Sequence, residues 1–411
     1  MSTAKGALAE WRNFWTLPMA AALGYSIAVL HTYSLGAFIA PLQQEFGWSR
    51  AQISMGITIA GVGSAIFGVP VGLLIDRFGP RVIGLIGSVT MAASVALLST
   101  ATGSIANWAV LWAIIALGTV CVHATVWTSA VATRFAASRG LAFAVTLSGA
   151  SISATAFPLL ATWLIGTHGW RTAFAGLSGL WFLLVFPILL LFFRGAHDAG
   201  HKEPNEATQT VNALPGMSLA EGLRSSAYYK LLMAGGFFAF TAIGVTVHFV
   251  AILKDSGAEP MAAAGIASLI GIFSIIGRLT TGYLLDRLPA HIVGATCFVL
   301  PIIAAALLLH DGANPLSQSV AAAIFGLTVG AEIDVIAYLA TRQFGLKNFG
   351  SLFGGIVTAL ALGVAFGPLA AGAVFDRYGG YAPFLMLTMV LMAMSSIALA
   401  SLRRAPFAAE H

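Results

Sequence analysis

"GLLIDRFGPR", Gly72–Arg81, returns 210 residues later as "GYLLDRLP", Gly282–Pro289, with the glycine, the leucine at the third position and the Asp-Arg pair in register. At the same offset "RGLAFAVTLSGASISATAFPLL" (139–160) lies over "FGSLFGGIVTALALGVAFGPLA" (349–370), which brings Gly140 onto Gly350, Phe143 onto Phe353 and Pro158 onto Pro368. Similarity at one fixed offset means one structural unit used twice. The chain therefore reads as two halves, 1–193 and 227–411, joined by a polar linker, 194–226, rich in His, Pro, Asn, Glu and Ser.

Composition says what the repeated unit is made of. Of 411 residues 58% are hydrophobic and 9% charged, with a mean hydropathy of +0.90, whereas a soluble domain is about a quarter charged. Apolar runs recur along the whole length, each long enough to cross a bilayer as a helix. Twelve are expected, six per half: 15–38, 51–74, 82–102, 105–132, 140–165 and 171–193, then 227–253, 260–284, 289–310, 315–341, 349–372 and 381–402. The first is longer than the apolar region of a cleavable signal peptide and lacks a small-residue cleavage site, so it reads as a retained helix. Cys121 and Cys297 both fall inside spans, which argues against a disulfide framework.

The charges orient the chain. Of its twenty Lys and Arg, fifteen fall with the termini and the even-numbered loops, four (Arg50, Arg171, Lys254 and Arg377) fall on the other side, and Arg278 lies within a span. An excess of Lys and Arg marks the cytoplasmic face. Both termini are expected in the cytoplasm, in a plasma membrane of the bacterial inner-membrane type. The net charge of +5 orients the protein in lipid and does not point to nucleic acid.

Set in a twelve-span chain, "GLLIDRFGPR" resembles the loop motif between the second and third helices of the major facilitator superfamily, and the resemblance covers essentially all of the sequence. It implies an all-α membrane protein of major facilitator fold: two six-helix halves about a pseudo-two-fold axis along the membrane normal, with substrate near the midplane between them. In that superfamily the loop cluster latches the outward-facing state. The resemblance gives this role to Gly72, which would let two helices approach closely, to Asp76, Arg77 and Arg81, and in the second copy to Asp286 and Arg287, with Glu332 touching the loop charges. Within the superfamily, "YSLGAFIAPLQQEFGWSRAQIS" (33–54), "RGLAFAVTLSGA" (139–150) and "GAEIDVIAYLATRQFG" (330–345) look like the monocarboxylate transporter family and its neighbour, the oxalate:formate antiporters. Two places differ: "FWTLPMAAALGY" (14–25) replaces the acid-and-glycine opening of the animal monocarboxylate carriers, and Ser274 stands where that family often has an Asp four residues before the arginine of helix 8.

Three clearly ionised side chains sit inside spans: Arg278 in helix 8, and Glu332 and Asp334 in helix 10. A charge at the centre of a span costs roughly 2.5–3.5 kcal/mol, so such residues face a cavity or a partner. Arg278 precedes Asp286 by eight residues and Asp334 precedes Arg342 by eight, which puts each about 12 Å from its cytoplasmic helix end. The arginine is then half of an ion pair between helices 8 and 10, or it is an anion receptor whose planar fork matches a carboxylate. The family resemblance assigns the position to substrate. Glu332 and Asp334 are roughly 200° apart around the helix and cannot both face one cavity, while Asp334 shares its face with Tyr338.

Tyr25, Ser274, Tyr338, Phe353, Cys121 and Thr125 complete the expected substrate contacts around Arg278. His31, His123 and His248 lie in helices 1, 4 and 7, which line the cavity in this superfamily, and with Asp334 they are the candidate proton carriers. Helix 11 has no Lys or Arg, where the oxalate:formate antiporters carry a lysine. One fixed cation suits one carboxylate, since a second would stand unpaired in a low-dielectric site. The sequence has no nucleophile constellation, metal-ligand cluster or phosphate loop, so neither an enzyme nor a cofactor or metal is expected. The reading is a secondary transporter of small monocarboxylates, coupled to protons by alternating access and acting as a monomer; an oxalate:formate type of anion exchanger, or efflux of other organic acids or drugs, is the alternative.

Overall fold

The structure is a computed structural model and describes residues 2–195, 216–285, 287–345 and 347–402. Every one of the twelve expected spans is helical. An amphipathic helix, α1 (Ser2–Phe14), precedes the first span, which is itself made of two pieces, α2 (Thr16–Ala28) and α3 (Leu30–Phe46). The next two spans are α4 (Arg50–Phe78) and α5 (Pro80–Leu97). The fourth is again broken, into α6 (Ile105–Cys121) and α7 (Ala124–Ala132). α8 (Arg139–Leu147) leads into α9 (Gly149–Phe192), whose 44 residues contain two spans because Gly169 (φ 77°) adopts a conformation a side chain would resist and turns the chain back.

After the linker a short α10 (Leu219–Arg224) precedes six unbroken helices: α11 (Ser226–Asp255), α12 (Pro260–Leu285), α13 (Ala290–Asp311), α14 (Pro315–Phe344), α15 (Phe349–Tyr378) and α16 (Ala382–Ala400). Ser49, Ser104 and Asn314 cap the helices that follow them by accepting backbone N–H groups.

Two compact units form. One comprises Met1–Glu203 with Pro260–Gly271, the other Pro204–Glu259 with Ile272–His411, so that α12 contributes to both. Each is held by the same device between equivalent helices. In the first, a Cβ on Gly149 of α9 would land on the Ala22 carbonyl of α2; in the second, a Cβ on Gly367 of α15 would land on the Phe240 carbonyl of α11. Backbones touch where lipid gives no hydrophobic drive between helices.

The first unit is stapled beyond its hydrocarbon zone. Glu45, near the end of α3, accepts from Arg171 Nη2 at 2.6 Å and from the Trp170 indole, while Arg171 Nη1 donates to the carbonyls of Ser99 and Ala101 at 3.1 and 3.0 Å. The turn at Gly169 is what presents both residues. The second unit has an apolar core in which Leu231, Phe238, Phe298, Val335, Ile336 and Phe344 are each fully buried.

Candidate functional site

The charged cluster belongs to the second unit and depends on two glycines. Where α12 crosses α14, a Cβ on Gly277 would strike the Leu327 carbonyl and one on Gly330 would strike the Ser274 carbonyl. Ser274 lies one turn before Arg278 and Gly330 one turn before Asp334, on the same faces. The crossing therefore sets the two charges beside each other, with Arg278 Nε 3.7 Å from Asp334 Oδ2 and the side chains 13% and 35% exposed. That distance is too long for a hydrogen bond. Arg278 Nε and Nη1 are both buried without a hydrogen-bond partner, a costly state for a cation unless another anion joins it.

Around this pair the expected substrate contacts fall unevenly. Ser274 is buried, and its backbone carbonyl meets the glycine of α14. Tyr338 packs against the core of the unit with the Arg342 guanidinium 4.8 Å from its ring centroid. Phe353 stacks on Phe349 at 5.0 Å. Glu332, expected to touch loop charges, has Oε1 buried without a hydrogen-bond partner.

The remaining candidates sit in the first unit, near its two broken helices. His31 is the second residue of α3, just past the break at Val29 (φ −109°, ψ 8°). It is buried, its Nδ1 has no hydrogen-bond partner, and its ring meets Trp112 edge-on at 5.7 Å. Cys121 ends α6, and His123, which follows it by two, is exposed with Nδ1 3.4 Å from the Thr125 hydroxyl. Trp127 holds this second break in place: its indole donates to the Val122 carbonyl at 2.7 Å and fills the space above Gly24. Tyr25 is half-buried on α2.

His248 is placed differently from a free proton carrier. Its Nε2 donates to the Pro368 carbonyl at 2.9 Å and its Nδ1 accepts from the Tyr381 hydroxyl at 2.6 Å. A carbonyl can only accept, which fixes the tautomer. This histidine pins α11 to α15 and the start of α16.

For the loop motif, Arg81 Nη2 donates to the Leu190 carbonyl at 2.8 Å near the end of α9, where a cation is favoured by the helix dipole. Arg77 lies over Phe78 and Arg287 over Tyr283, at 5.3 and 4.1 Å. At Gly72 a Cβ meets nothing within 4 Å among the described residues. The side chain of Asp76 and the whole of Asp286 lie outside the described residues.

The sequence reading did not identify Gly277 and Gly330, although a small residue beside Arg278 and another one turn before Asp334 were the available signals.

Long apolar helices in two similarly built units, with a half-paired arginine buried in one of them, suit a membrane transporter. The profile of the Major Facilitator Superfamily matches residues 21–354, and the chain belongs to that superfamily: it is a multi-pass membrane protein that moves small molecules and is not an enzyme. Monocarboxylate transporter 13 of Bos taurus is 26% identical over 375 residues, covering 89% of this chain and 83% of its own. The cis,cis-muconate transport protein of Acinetobacter baylyi is 25% identical over 362 residues, covering 84% and 82%. Among solved structures a D-xylose-proton symporter superposes with a TM-score of 0.74 over 95% of this chain and 98% of its own, at 16% identity, a likeness of fold.

Proposed function

We propose that the protein carries small monocarboxylates together with a proton, by alternating access, across a plasma membrane with both termini in the cytoplasm. One observation carries the reading: the half-paired guanidinium of Arg278, with Asp334 at 3.7 Å from Nε and no hydrogen-bond partner for Nη1. The Nη1–Nη2 end of the fork offers two parallel donors to an incoming carboxylate. Relatives named for monocarboxylate and muconate transport support an organic acid as cargo.

The pair also supplies a coupling scheme. Asp334 and the substrate compete for one cation. A proton on Asp334 removes the competitor and leaves Arg278 to the substrate; loss of that proton restores the internal pair and favours release. Carboxylate and proton then cross as an electroneutral set, which lowers the cost of taking the anion through low dielectric. His248, bonded at both ring nitrogens, is less suited to this task than Asp334.

Uptake of radiolabelled mono- and dicarboxylates into proteoliposomes with an imposed pH gradient tests the proposal. Saturable monocarboxylate uptake driven by an alkaline interior, absent in Arg278→Ala, is the expected result. Asp334→Asn is expected to keep exchange but lose proton-driven accumulation. Intact flux in Arg278→Ala would make the arginine structural, and preference for a dicarboxylate would overturn the argument from a single cation.

A further inference from the structure

The segment ahead of the first span plays no part in the transport scheme, yet it is firmly fastened. The carboxylate of Glu10, on α1, accepts four hydrogen bonds. Oε1 takes the backbone N–H groups of Ala136 and Ala137 at 2.9 and 2.8 Å, and Oε2 takes the N–H and hydroxyl of Ser138 at 3.0 and 2.6 Å. These groups precede α8, whose N-cap makes no side-chain hydrogen bond of its own. Glu10 therefore serves as the cap, at a helix end whose dipole favours a negative charge. The same bonds hold its pKa down to about 2, the Ser138 hydroxyl contributing most. Trp11 meets Phe135 edge-on at 5.3 Å, and the Arg134 guanidinium lies 5.0 Å from the Phe14 ring centroid. Residues 10, 11 and 14 thus tie α1 to the connection between α7 and α8.

The opposite side of α1 is open. Leu8 is 72% exposed and Trp15, which follows the helix directly, 56%, with Arg12 exposed between them. Positions 8, 12 and 15 form one helical stripe. The apolar span that begins at Thr16 is long enough to cross a bilayer, which sets that stripe at the bilayer edge. An arginine flanked by Leu and Trp is the composition of a helix lying in the headgroup plane. Glu10 is the only acid in α1 and is bonded to Ala136–Ser138, so α1 offers Arg12 no acid partner of its own.

We infer that α1 docks Leu8, Arg12 and Trp15 onto anionic headgroups of the leaflet it adjoins, and that Glu10 ties this membrane contact to the start of α8. The entry to helix 5 is then held at a set position against the lipid surface. Nothing in this depends on what the protein carries.

The test uses full-length protein with Leu8→Cys, labelled at that thiol by a membrane-impermeant, environment-sensitive maleimide and reconstituted in phosphatidylcholine with or without phosphatidylglycerol. The label is expected to report an interfacial environment and quenching by shallow spin-labelled lipid, more strongly with phosphatidylglycerol, and Arg12→Gln is expected to reduce that lipid dependence about fivefold. A solvated label in both vesicles overturns the docking, and an equal response in both overturns the charge recognition. Shielding that depends on protein concentration in detergent would mean a second copy covers the face, and also defeats the proposal. For the tie, Glu10→Ala is expected to raise amide exchange at Ala136–Ser138 roughly tenfold; unchanged exchange there overturns it. Neither readout is a flux, so a wrong assignment of cargo leaves this test standing.

Discussion

The two units solve the same problem with different chemistry. In the first, helices 1 and 4 are broken at Val29 and at Val122–His123, and no Asp, Glu, Lys or Arg occurs between residues 16 and 44 or between 82 and 133. In the second, helices 7, 8, 10 and 11 run unbroken as α11, α12, α14 and α15, and Arg278, Glu332 and Asp334 stand in the interior of α12 and α14. A broken helix takes N–H and C=O groups out of the regular ladder and leaves partial charges at its ends. An unbroken helix has no such groups to offer in its interior and must bring full charge on a side chain. One unit therefore carries partial charges at helix breaks, the other full charges on side chains.

The largest expected effect breaks this comparison on its charged side. Arg278→Ala should lower saturable uptake by a factor on the order of 100 or more, the range for removing one partner of a buried charge contact, about 2–5 kcal/mol. Thr125→Ala, at the break of helix 4, should cost only a few-fold, since a net neutral hydrogen bond is worth about 1 kcal/mol. Equal losses in the two, measured in the same vesicles, would mean the units share the work evenly.

Next comes the crossing that creates the pair. Gly330→Ala drives a methyl group into the Ser274 carbonyl and should destabilise the protein by roughly 1–3 kcal/mol through overpacking, with a matching loss of uptake because Arg278 and Asp334 separate. Gly149→Ala, which meets the Ala22 carbonyl in the first unit, should lower thermal stability as much while raising the half-saturation concentration less. Gly72→Ala, with open space around it, should do neither.

The histidines sharpen the contrast further. Tyr381→Phe removes the hydroxyl that His248 accepts from, and should lower stability by about 1 kcal/mol while leaving the pH dependence of uptake in place. His31→Gln should also leave it in place, because Asp334 is the proposed titrating carboxylate. A pH profile that follows Tyr381 or His31 would move the titrating group away from Asp334.

The smallest effect is expected at Glu10. Its pKa is depressed from 4.5 to about 2, so its contribution is fully present above the ordinary carboxylate range and is lost only as pH falls toward 2. Amide protection of Ala136–Ser138, corrected for intrinsic exchange, should therefore be unchanged between neutral pH and about pH 5.5. A loss of protection in that window would show that the cap is weaker than its four hydrogen bonds indicate.

Much of this was legible in the residues. The repeat of "GLLIDR" as "GYLLDR" and the spacing of apolar runs led to the superfamily, and an arginine eight residues before Asp286, with an aspartate eight before Arg342, placed Arg278 and Asp334 at one depth before any contact was known. The breaks at Val29 and Val122 were not legible, because neither carries a Pro or Gly: hydropathy continues straight through both. Gly277 and Gly330 were not legible for a related reason. A glycine signals that close approach is permitted, and only a neighbour shows that it occurs.

By itself, then, the sequence determined the apolar spans, the internal repeat and the presence of a cation and a carboxylate at one depth. These follow from transfer free energy summed along the chain, a local quantity with a 3.6-residue period. Only the tertiary structure decided that Gly277 and Gly330 let α12 and α14 touch, that His248 is saturated by Pro368 and Tyr381, and that Glu10 reaches across 126 residues to cap α8. Those contacts depend on where helices cross and how their faces turn, and no spacing within a single helix encodes the position of another.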